Sequence, residues 1–369
     1  MVAQPARVLF LLTGLERGGA AQQVCELAFE VSQRSWVVEV VSMIPPGPVS
    51  ERLDSLAISF DHLGMTSGRA SLRGLRRYLR SVRRFRPDLV HSHLLHANLL
   101  ARVGRACGLR YPLVNSAHGE IERSRWSGWA YRASARWCDV CPAVSRGALG
   151  DYRHEGWVTS EKLIHVPNGI RLDPERSGDV RERVRRELGL GDTFTFLNVA
   201  RLHPDKDQET LLAAFASVVR NGPARLLIAG DGPLRDQLEA LRRDLGLVHA
   251  VQFLGDRADV SDLLLAADGF VLSSATEGLP VALLEACAAR LPVVATAVGD
   301  LAEVLSPDGS DALVPSRNPE ALARALEQVQ GLSAEQRERY GSALRARVTE
   351  QFDIARVADR WEAVYSTLI

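Results

Sequence analysis

Short apolar segments alternate with longer amphipathic ones along this chain, and this alternation limits the possible folds more than any other feature. Most short segments are bounded by Gly, Pro or His, which is typical of buried strands. The pattern predicts β-α units, with helices on both faces of parallel sheets. The predicted strands are RVLFLLT, WVVEVVSM, ISFDHL, PDLVHSH, YPLVNSAHG, DVCPAVS and KLIHVPNG in a first series, then TFTFLNVAR, ARLLIAGDG, AVQFLGD, GFVLSS, PVVATAVG and DALVP in a second.

The break between the two series predicts two domains. The first series ends near residue 169, and the second follows a polar stretch around 171–192, whose RLDPERSGDV segment has the composition of a linker. A length of 369 residues suits two domains of about 150 to 200 residues each. We expect one doubly wound α/β domain over residues 1–170 and another over residues 171–352, followed by a terminal helix at about 353–369.

The composition excludes several classes of protein. The formal net charge is zero and 46% of the residues are apolar, so no overall field favours nucleic acid. No apolar run approaches the roughly 20 residues of a membrane-spanning helix, and the opening MVAQPARVLFLLTGL lacks a signal-peptide cleavage motif and suits a first strand. Five scattered cysteines fit reduced thiols. We expect a cytoplasmic protein that does not bind nucleic acid.

The distinctive residues of the chain lie at the ends of predicted strands or in the loops that follow them. In open α/β sheets, ligands bind at the carboxyl ends of the strands, where loops and helix N-termini supply amide donors. With two such sheets, we expect the site in a cleft between two domains that face each other.

A glycine pair, Gly18 and Gly19, follows the first predicted strand in LLTGLERGGAAQQ and opens a helix. Glycine there allows the backbone to approach a ligand closely, although a helix-packing turn would also explain it. The motif is not GxGxxG, and the second strand ends in SMIPP without the acidic residue that a nicotinamide-binding domain would place there. A dehydrogenase is therefore disfavoured.

Two cations leave the first strand of the second domain in VARLHPDKDQE. The planar fork of Arg201 and the point charge of Lys206 together suit a diphosphate. The alternative is a solvated loop in which these cations pair with Asp205 and Asp207. The IAGDGP segment after the next strand carries two glycines, which fit either close backbone approach or a tight turn.

Two carboxylates flank a predicted helix start in TEGLPVALLEA. Pro280 suits the first helical position, so Glu277 precedes the helix and Glu285 lies in its second turn. The helix N-terminus suits a phosphate, and the carboxylates could accept hydrogen bonds from the hydroxyls of a ribose and a hexose. A charged cap with a salt bridge on the helix face is the alternative.

Histidines mark the ends of two strands in the first domain. His118 in NSAHGE could contact a sugar hydroxyl or move protons, although a structural role is the usual one for such a residue. His91, His93 and His96 lack a carboxylate or cysteine at ligand spacing, and the CxxC pair Cys138 and Cys141 falls in a predicted strand without a second pair. We expect no metal.

Together these motifs resemble the retaining glycosyltransferases of family four with the GT-B fold, two Rossmann-like domains facing across a cleft. The likeness extends through nearly the whole chain in the expected order, and TEGLPVALLEA and VARLHPDKD are its most specific parts. It implies that Trp361 and Tyr365 anchor the final helix on the first domain. It also implies a site without a metal, in which Arg201 and Lys206 hold the donor diphosphate and Glu285 binds the ribose. Glu277, together with the backbone near Gly278 and Leu279, would hold the donor sugar. Gly18 and Gly19 would approach the phosphates, and His118 would contact the sugar.

The resemblance therefore implies a hexosyltransferase that moves a sugar from a nucleoside-diphosphate sugar to a glycan or lipid-linked acceptor in cell-surface polysaccharide synthesis. Fixed cations can stabilise the departing diphosphate without a metal. Two alternatives remain: a sugar-nucleotide epimerase of the same fold, which would turn over without an acceptor, and a non-catalytic sugar-nucleotide-binding protein.

Two basic stretches of the first domain raise the possibility of contact with an anionic membrane surface. SLRGLRRYLRSVRRFRP places Leu72, Leu75, Leu79 and Val82 at helical spacing among arginines, and ERSRWSGWAYRASARW mixes arginine with Trp126, Trp129, Tyr131 and Trp137. Basic amphipathic helices with aromatic residues can lie on such a surface, at the inner face of the cell membrane. A core-facing helix with a solvated arginine face explains the first stretch equally well.

Overall fold

The computed structural model of the protein describes residues 5–16, 18–66, 71–118, 125–172, 178–305 and 313–369, apart from the side chains of 125–127. The chain divides into two compact units, Met1–Arg171 with Phe352–Ile369, and Leu172–Gln351. Each has its own parallel sheet, so the predicted α/β class is confirmed. Residues 173–177 of the predicted linker lie outside the described residues.

The first unit is built on a parallel sheet in the order β3-β2-β1-β4-β5, to which the parallel pair β6-β7 is joined by bridges from Val114 to Val140 and from Ala117 to Ala143. Its strands are β1 (Ala6–Leu12), β2 (Trp36–Ser42), β3 (Ser59–His62), β4 (Leu89–His93), β5 (Leu113–Ser116), β6 (Cys141–Ala143) and β7 (Leu163–His165). Its first helices are α1 (Gly19–Ser32), α2 (Ser50–Ser55), α3 (Leu72–Phe85), α4 (Leu95–Ala106), α5 (Arg125–Ser134) and α6 (Arg146–His154).

Strand β1 shows why the predicted strands are apolar on both faces. Val8, Phe10 and Leu12 pack in a buried cluster with side chains of α1. Leu9 and Leu11 pack in another buried cluster, with side chains of α3 and α4. Because successive side chains of a strand point to opposite faces, a sheet covered by helices on both sides requires a continuous apolar run.

The second unit contains a parallel sheet in the order β10-β9-β8-β11-β12-β13. Its strands are β8 (Thr195–Val199), β9 (Arg225–Ala229), β10 (Val251–Gly255), β11 (Gly269–Leu272), β12 (Val293–Thr296) and β13 (Leu313–Val314). Its helices are α7 (Gly178–Glu187), α8 (Gln208–Asn221), α9 (Arg235–Asp244), α10 (Val260–Ala266), α11 (Val281–Ala288), α12 (Leu301–Leu305), α13 (Pro319–Gln330) and α14 (Ala334–Gln351). The strand order reverses between β8 and β11, which is where sheets of this kind bind ligands.

The last helix, α15 (Ile354–Ser366), belongs to the first unit. Trp361 and Tyr365 are 3% and 0% exposed and pack in the same cluster as α1. The Trp36 indole also donates to the Glu362 carboxylate over 3.2 Å. Large aromatic side chains buried in this way fasten the end of the chain to the first sheet.

Candidate functional site

Lys206 and Glu277 form an ion pair at the carboxyl edge of the second unit's sheet. Lys206 closes a 3-10 turn, Pro204–Lys206, after β8, and Glu277 lies in the loop between β11 and α11. The Lys206 Nζ donates to Glu277 Oε1 over 2.6 Å, and the Ser274 hydroxyl donates to the same oxygen over 2.7 Å. The Glu277 side chain is only 7% exposed. Charge-assisted hydrogen bonds stabilise a carboxylate buried this deeply, so the two side chains fix each other.

The loops that carry this pair are joined through their backbones. The Ser273 hydroxyl donates to the Lys206 carbonyl over 2.9 Å, and the Ala275 N–H donates to the Asp205 carbonyl over 2.8 Å. The two loops follow β8 and β11, which are neighbours at the point where the strand order reverses. The ion pair therefore lies at the position in this sheet where ligand binding is expected.

Arg201 supplies a second cation to the loop after β8. Its side chain is exposed, and within the described ranges no carboxylate pairs with its guanidinium. Its carbonyl accepts a hydrogen bond from the Gln208 side chain over 3.0 Å. The alternative pairing with Asp205 and Asp207 is not observed, since Asp205 pairs with His203 over 3.0 Å and Asp207 caps α8. One cation of this loop is thus paired and the other faces solvent.

The glycines of the IAGDGP segment allow backbone to pack against backbone. A Cβ on Gly230 would lie 2.1 Å from the Ala200 carbonyl oxygen, and one on Gly232 would lie 2.4 Å from that of Leu202. Gly230 also has a φ of 135°. The loop after β9 therefore rests directly on the segment that carries Arg201, and these glycines hold that segment in place.

Helix α11 begins at Val281, one residue later than predicted, because Pro280 keeps an extended backbone and serves as the N-cap. Glu285 lies in the second turn of this helix, half-buried. Gly278 and Leu279 lead into the helix, and the Gly278 carbonyl accepts a hydrogen bond from the Asp300 N–H over 3.1 Å. The predicted residues of TEGLPVALLEA thus follow one another through a single loop and helix start, with Glu277 held by Lys206.

Ser274 and Gly299, which also contact Glu277 or its loop, were not predicted from the sequence. Ser274 is fully buried and orients Glu277. Gly299 has a φ of 55°, and a Cβ there would lie 2.3 Å from the Glu277 carbonyl oxygen. Both residues follow strands at the carboxyl edge of the sheet, where ligand binding is expected. Their positions in the sequence could therefore have indicated that they contribute to the site.

The first-unit candidates lie at the ends of β1 and β5. Gly18 is the N-cap of α1 with an extended φ of 172°, and a Cβ there would meet no described atom within 4 Å. Glycine is among the residues that N-cap positions favour, and the space beside Gly18 is free of described atoms. Gly19 is the first residue of α1. His118 Nε2 lies 2.8 Å from His93 Nδ1, and burial lowers the pKa of His118 to about 4.

His91 and His93, two of the three histidines that raised the metal question, have hydrogen-bond partners within the fold, whereas His96 is exposed. His91 Nδ1 lies 2.7 Å from the Tyr365 hydroxyl, and His91 Nε2 lies 2.7 Å from the Ser116 hydroxyl. Cys138 ends a 3-10 turn and β6 begins at Cys141, so the prediction that both lie in a strand is wrong for Cys138. Among the described residues, no group of three His, Cys, Asp or Glu side chains is placed to hold a metal ion.

Two family models match the chain, one for each unit. The model described as "Glycosyltransferase Family 4" matches residues 17–174, and the model described as "Glycosyl transferases group 1" matches residues 180–347. A solved structure of Anabaena HepE in complex with UDP and glucose superposes with a TM-score of 0.86 at 22% identity, covering 98% of this chain and 100% of that one. These matches confirm the GT-B fold expected from the sequence.

Curated relatives match over about two thirds of the chain. An uncharacterized glycosyltransferase of Methanocaldococcus jannaschii is 34% identical over 260 residues, which is 66% of this chain and 66% of that protein, just under two thirds of its length. A UDP-Gal:alpha-D-GlcNAc-diphosphoundecaprenol alpha-1,3-galactosyltransferase of Escherichia coli is 27% identical over 271 residues, 67% of this chain and 68% of that protein.

Proposed function

Since this chain belongs to the group 1 glycosyltransferases of family 4, we propose that it transfers a hexosyl group from a nucleoside-diphosphate sugar to a glycan or lipid-linked acceptor, with retention of anomeric configuration. The observation that carries the proposal is the Lys206–Glu277 pair at the reversal point of the second sheet, in a loop that also carries Arg201, which has no acidic partner among the described residues. A cationic loop at that position suits a diphosphate, and buried carboxylates suit sugar hydroxyls.

The two cations stabilise the leaving group in this mechanism. As the bond between the sugar and the diphosphate breaks, negative charge grows on the phosphate oxygens, and fixed cations lower the barrier. Lys206 is already oriented by Glu277, and its remaining N–H bonds can turn to a phosphate oxygen. Arg201 adds a planar fork for two oxygens. Glu285, in α11, accepts hydrogen bonds from the ribose hydroxyls.

Glu277 acts as a sugar-hydroxyl acceptor in this proposal and does not attack the sugar. Its Oε1 accepts from both Lys206 and Ser274. Charge-assisted hydrogen bonds reduce the nucleophilicity of a carboxylate, whereas an oriented carboxylate is a good acceptor for a hydroxyl. We therefore propose that the acceptor attacks from the face that the diphosphate leaves, without a covalent intermediate on Glu277. Gly278 and Leu279 contribute backbone groups to the same sugar.

Three residues of the first unit also have proposed roles in donor binding. Gly18 and Gly19 give the phosphates access to the N-terminus of α1, and His118 donates a hydrogen bond to the donor sugar. The support for Gly18 is its position as the N-cap of α1, where free backbone N–H groups suit a phosphate. The support for His118 is its position at the end of β5 and its neutral ring, which can donate without carrying charge.

A screen of nucleotide sugars followed by product analysis tests the function. At a ligand concentration of about 100 Kd, one donor should add roughly 2.7 kcal/mol of stability, visible as a rise in the melting temperature. With that donor and a lipid-diphosphate or glycan acceptor, the anomeric proton coupling should show the configuration of the donor retained in the product. An acceptor-free incubation serves as the control. Turnover without acceptor would instead indicate an epimerase, and an inverted product would contradict retention.

We also propose that α3 contacts an anionic membrane surface by charge alone. Its apolar side faces the core, since Tyr78, Val82 and Phe85 are buried, whereas Leu72 is 76% exposed. The opposite side is a stripe of exposed arginines, defined here as the α3 stripe: Arg73, Arg76, Arg80 and Arg83. Within the described part of the chain, none of the four has an acidic partner. The name of the Escherichia coli relative includes a diphosphoundecaprenol substrate, and a long polyprenyl chain of this kind favours a location at a lipid surface.

The second basic stretch, ERSRWSGWAYRASARW, offers fewer aromatic side chains for membrane contact than its sequence suggested. Tyr131 is fully buried, and Trp137 is half-buried beside the Arg136 guanidinium, so both have partners within the fold. Trp129 is 66% exposed on α5. The Trp126 side chain lies outside the described residues. None of the described helices is long and apolar enough to cross a membrane.

Charge reversal of the α3 stripe tests this contact. The triple variant Arg76→Glu, Arg80→Glu and Arg83→Glu should lose at least a hundredfold in partitioning to vesicles with anionic lipid, because each basic residue near such a surface contributes about 1 kcal/mol. A matched control reverses three exposed arginines of the second unit, Arg186, Arg243 and Arg339, with the same change in net charge. Sedimentation at low and high salt measures both. Equal partitioning of the two variants, or binding by the wild type that is insensitive to salt, would overturn the proposal.

A further inference from the structure

His93 and His118 are joined through their rings at the carboxyl edge of the first sheet. His93 is the last residue of β4, and His118 follows the neighbouring strand β5. The His93 Nδ1 and the His118 Nε2 are 2.8 Å apart. Burial lowers the pKa of both rings, so both are neutral at pH 7. In a bond between two neutral imidazoles, one nitrogen donates and the other accepts.

The second ring nitrogen of His93, Nε2, determines the direction of this hydrogen bond. His93 Nε2 is buried and has no hydrogen-bond partner among the described residues. A buried N–H without a partner is rarer in proteins than an acceptor without one. The His93 proton therefore resides on Nδ1, which donates to His118 Nε2. Because His118 Nε2 accepts, the proton of the neutral His118 ring resides on its Nδ1.

The His93 ring packs against two other rings of the same sheet. Its centroid lies 4.0 Å from that of His91 and 5.9 Å from that of Phe10. His91 is fixed in turn by its hydrogen bonds to the Tyr365 and Ser116 hydroxyls. A buried ring that packs against two others presents Nδ1 in one direction.

We propose that His93 is a positioning residue, which selects the Nδ1–H tautomer of His118 and so fixes which edge of that ring offers a donor to the sugar. The inference rests on the proposed role of His118 at the donor sugar. It assigns the donor to Nδ1, and it makes the Nε2 edge unavailable because that nitrogen accepts from His93. A hydroxyl oxygen of the donor sugar is the acceptor that this arrangement suits.

Nitrogen NMR of the ligand-free wild-type protein tests the tautomer without reference to activity. Long-range 15N–1H spectra of histidine-labelled protein distinguish a protonated from an unprotonated ring nitrogen, and His118 is assigned by the loss of its signals in His118→Asn. We expect a protonated Nδ1 and an unprotonated Nε2 for His118. A protonated Nε2, or a near-equal mixture of the two forms, would overturn the inference.

Two substitutions at His93 provide the activity test. The Asn side chain of His93→Asn keeps an N–H near the Nδ1 position, whereas His93→Leu removes it, so kcat should fall about ten- to a hundredfold in the Leu variant with recovery in the Asn variant. The Nδ1–H preference of His118 should follow the same order in the spectra. Tyr78→Phe, which removes a buried hydrogen bond to Tyr111 elsewhere in this unit, controls for lost stability.

The NMR experiment and the activity experiment together separate this inference from the proposed function. Equal kcat for the Asn and Leu variants, with the Tyr78→Phe control unchanged, would contradict a positioning role. If the wild type transfers no sugar from any donor, the proposed function fails, and the spectra alone then decide whether His93 sets the tautomer.

Discussion

Replacing Lys206 by alanine is expected to lower kcat for sugar transfer by roughly a hundred- to a thousandfold, the usual effect of removing one stabiliser of developing negative charge. Lys206 is held 2.6 Å from Glu277 and is therefore preorganised for the diphosphate before it arrives. Steady-state kinetics with the donor found in the screen measures the effect. Lys162 is the natural control, since it is the other lysine of the chain and donates to the carbonyls of Ala135 and Cys138. Lys162→Ala should keep a near-normal kcat.

A double variant separates catalysis from charge balance. Lys206→Ala leaves the Glu277 carboxylate buried with Ser274 as its remaining described partner, which by itself could disturb the loop. In Lys206→Ala with Glu277→Gln, that uncompensated charge is gone. If Lys206 serves only to neutralise Glu277, the double variant should regain activity. Our account predicts that it stays at least as slow as the single variant, because the leaving group still lacks its cation and the sugar loses a carboxylate acceptor.

Replacing Trp361 by alanine is expected to lower the free energy of unfolding of the first unit by about 3 to 5 kcal/mol, the cost of a large cavity in a packed core. Trp361 is 3% exposed, and its ring lies 4.5 Å from that of His91. All six tryptophans of the chain lie outside residues 172–351, so tryptophan fluorescence during urea unfolding follows the first unit selectively. Five of the six reporters remain in this variant.

The exposed Trp129 provides the control for this measurement. Trp129→Ala removes an indole that is 66% exposed, and its effect should stay within about 0.5 kcal/mol. Similar urea midpoints for both variants would show that α15 does not stabilise the first unit. A loss restricted to Trp361→Ala would show that the packing of Trp361, which includes its contact with His91 of β4, stabilises the first unit.

The strands were the most predictable part of the fold because each requires a continuous apolar run. Arg225–Ala229 falls within a predicted segment, and Ala6–Leu12 matches another except for Ala6, since both faces of their sheets are covered. Element starts were less predictable, since they depend on single hydrogen bonds. Cys138 looks like part of a strand in sequence but ends a turn through its N–H bond to Ala135, and Pro280 serves as a cap instead of a first helical residue.

The site was predictable in its position and less so in its contacts. The sequence predicted separate roles for Lys206, at the phosphate, and for Glu277, at the sugar. Their ion pair depends on β8 and β11 being neighbours in the sheet, which the order of the strands along the chain does not reveal. The pairing of His93 with His118 depends in the same way on the neighbouring strands β4 and β5. A sequence motif shows which residue types are present, whereas tertiary packing determines which side chains become hydrogen-bond or ion-pair partners.

Calorimetric titration tests the central claim that Lys206 and its loop bind the donor diphosphate. The ligands are the nucleoside diphosphate of the preferred donor and the matching nucleoside, each added to the wild type and to Lys206→Ala. We predict that the wild type binds the diphosphate at least tenfold more tightly than the nucleoside, and that Lys206→Ala loses most of this preference, since a charge-assisted hydrogen bond contributes about 1.5 to 3 kcal/mol. The same preference in both proteins would contradict the account.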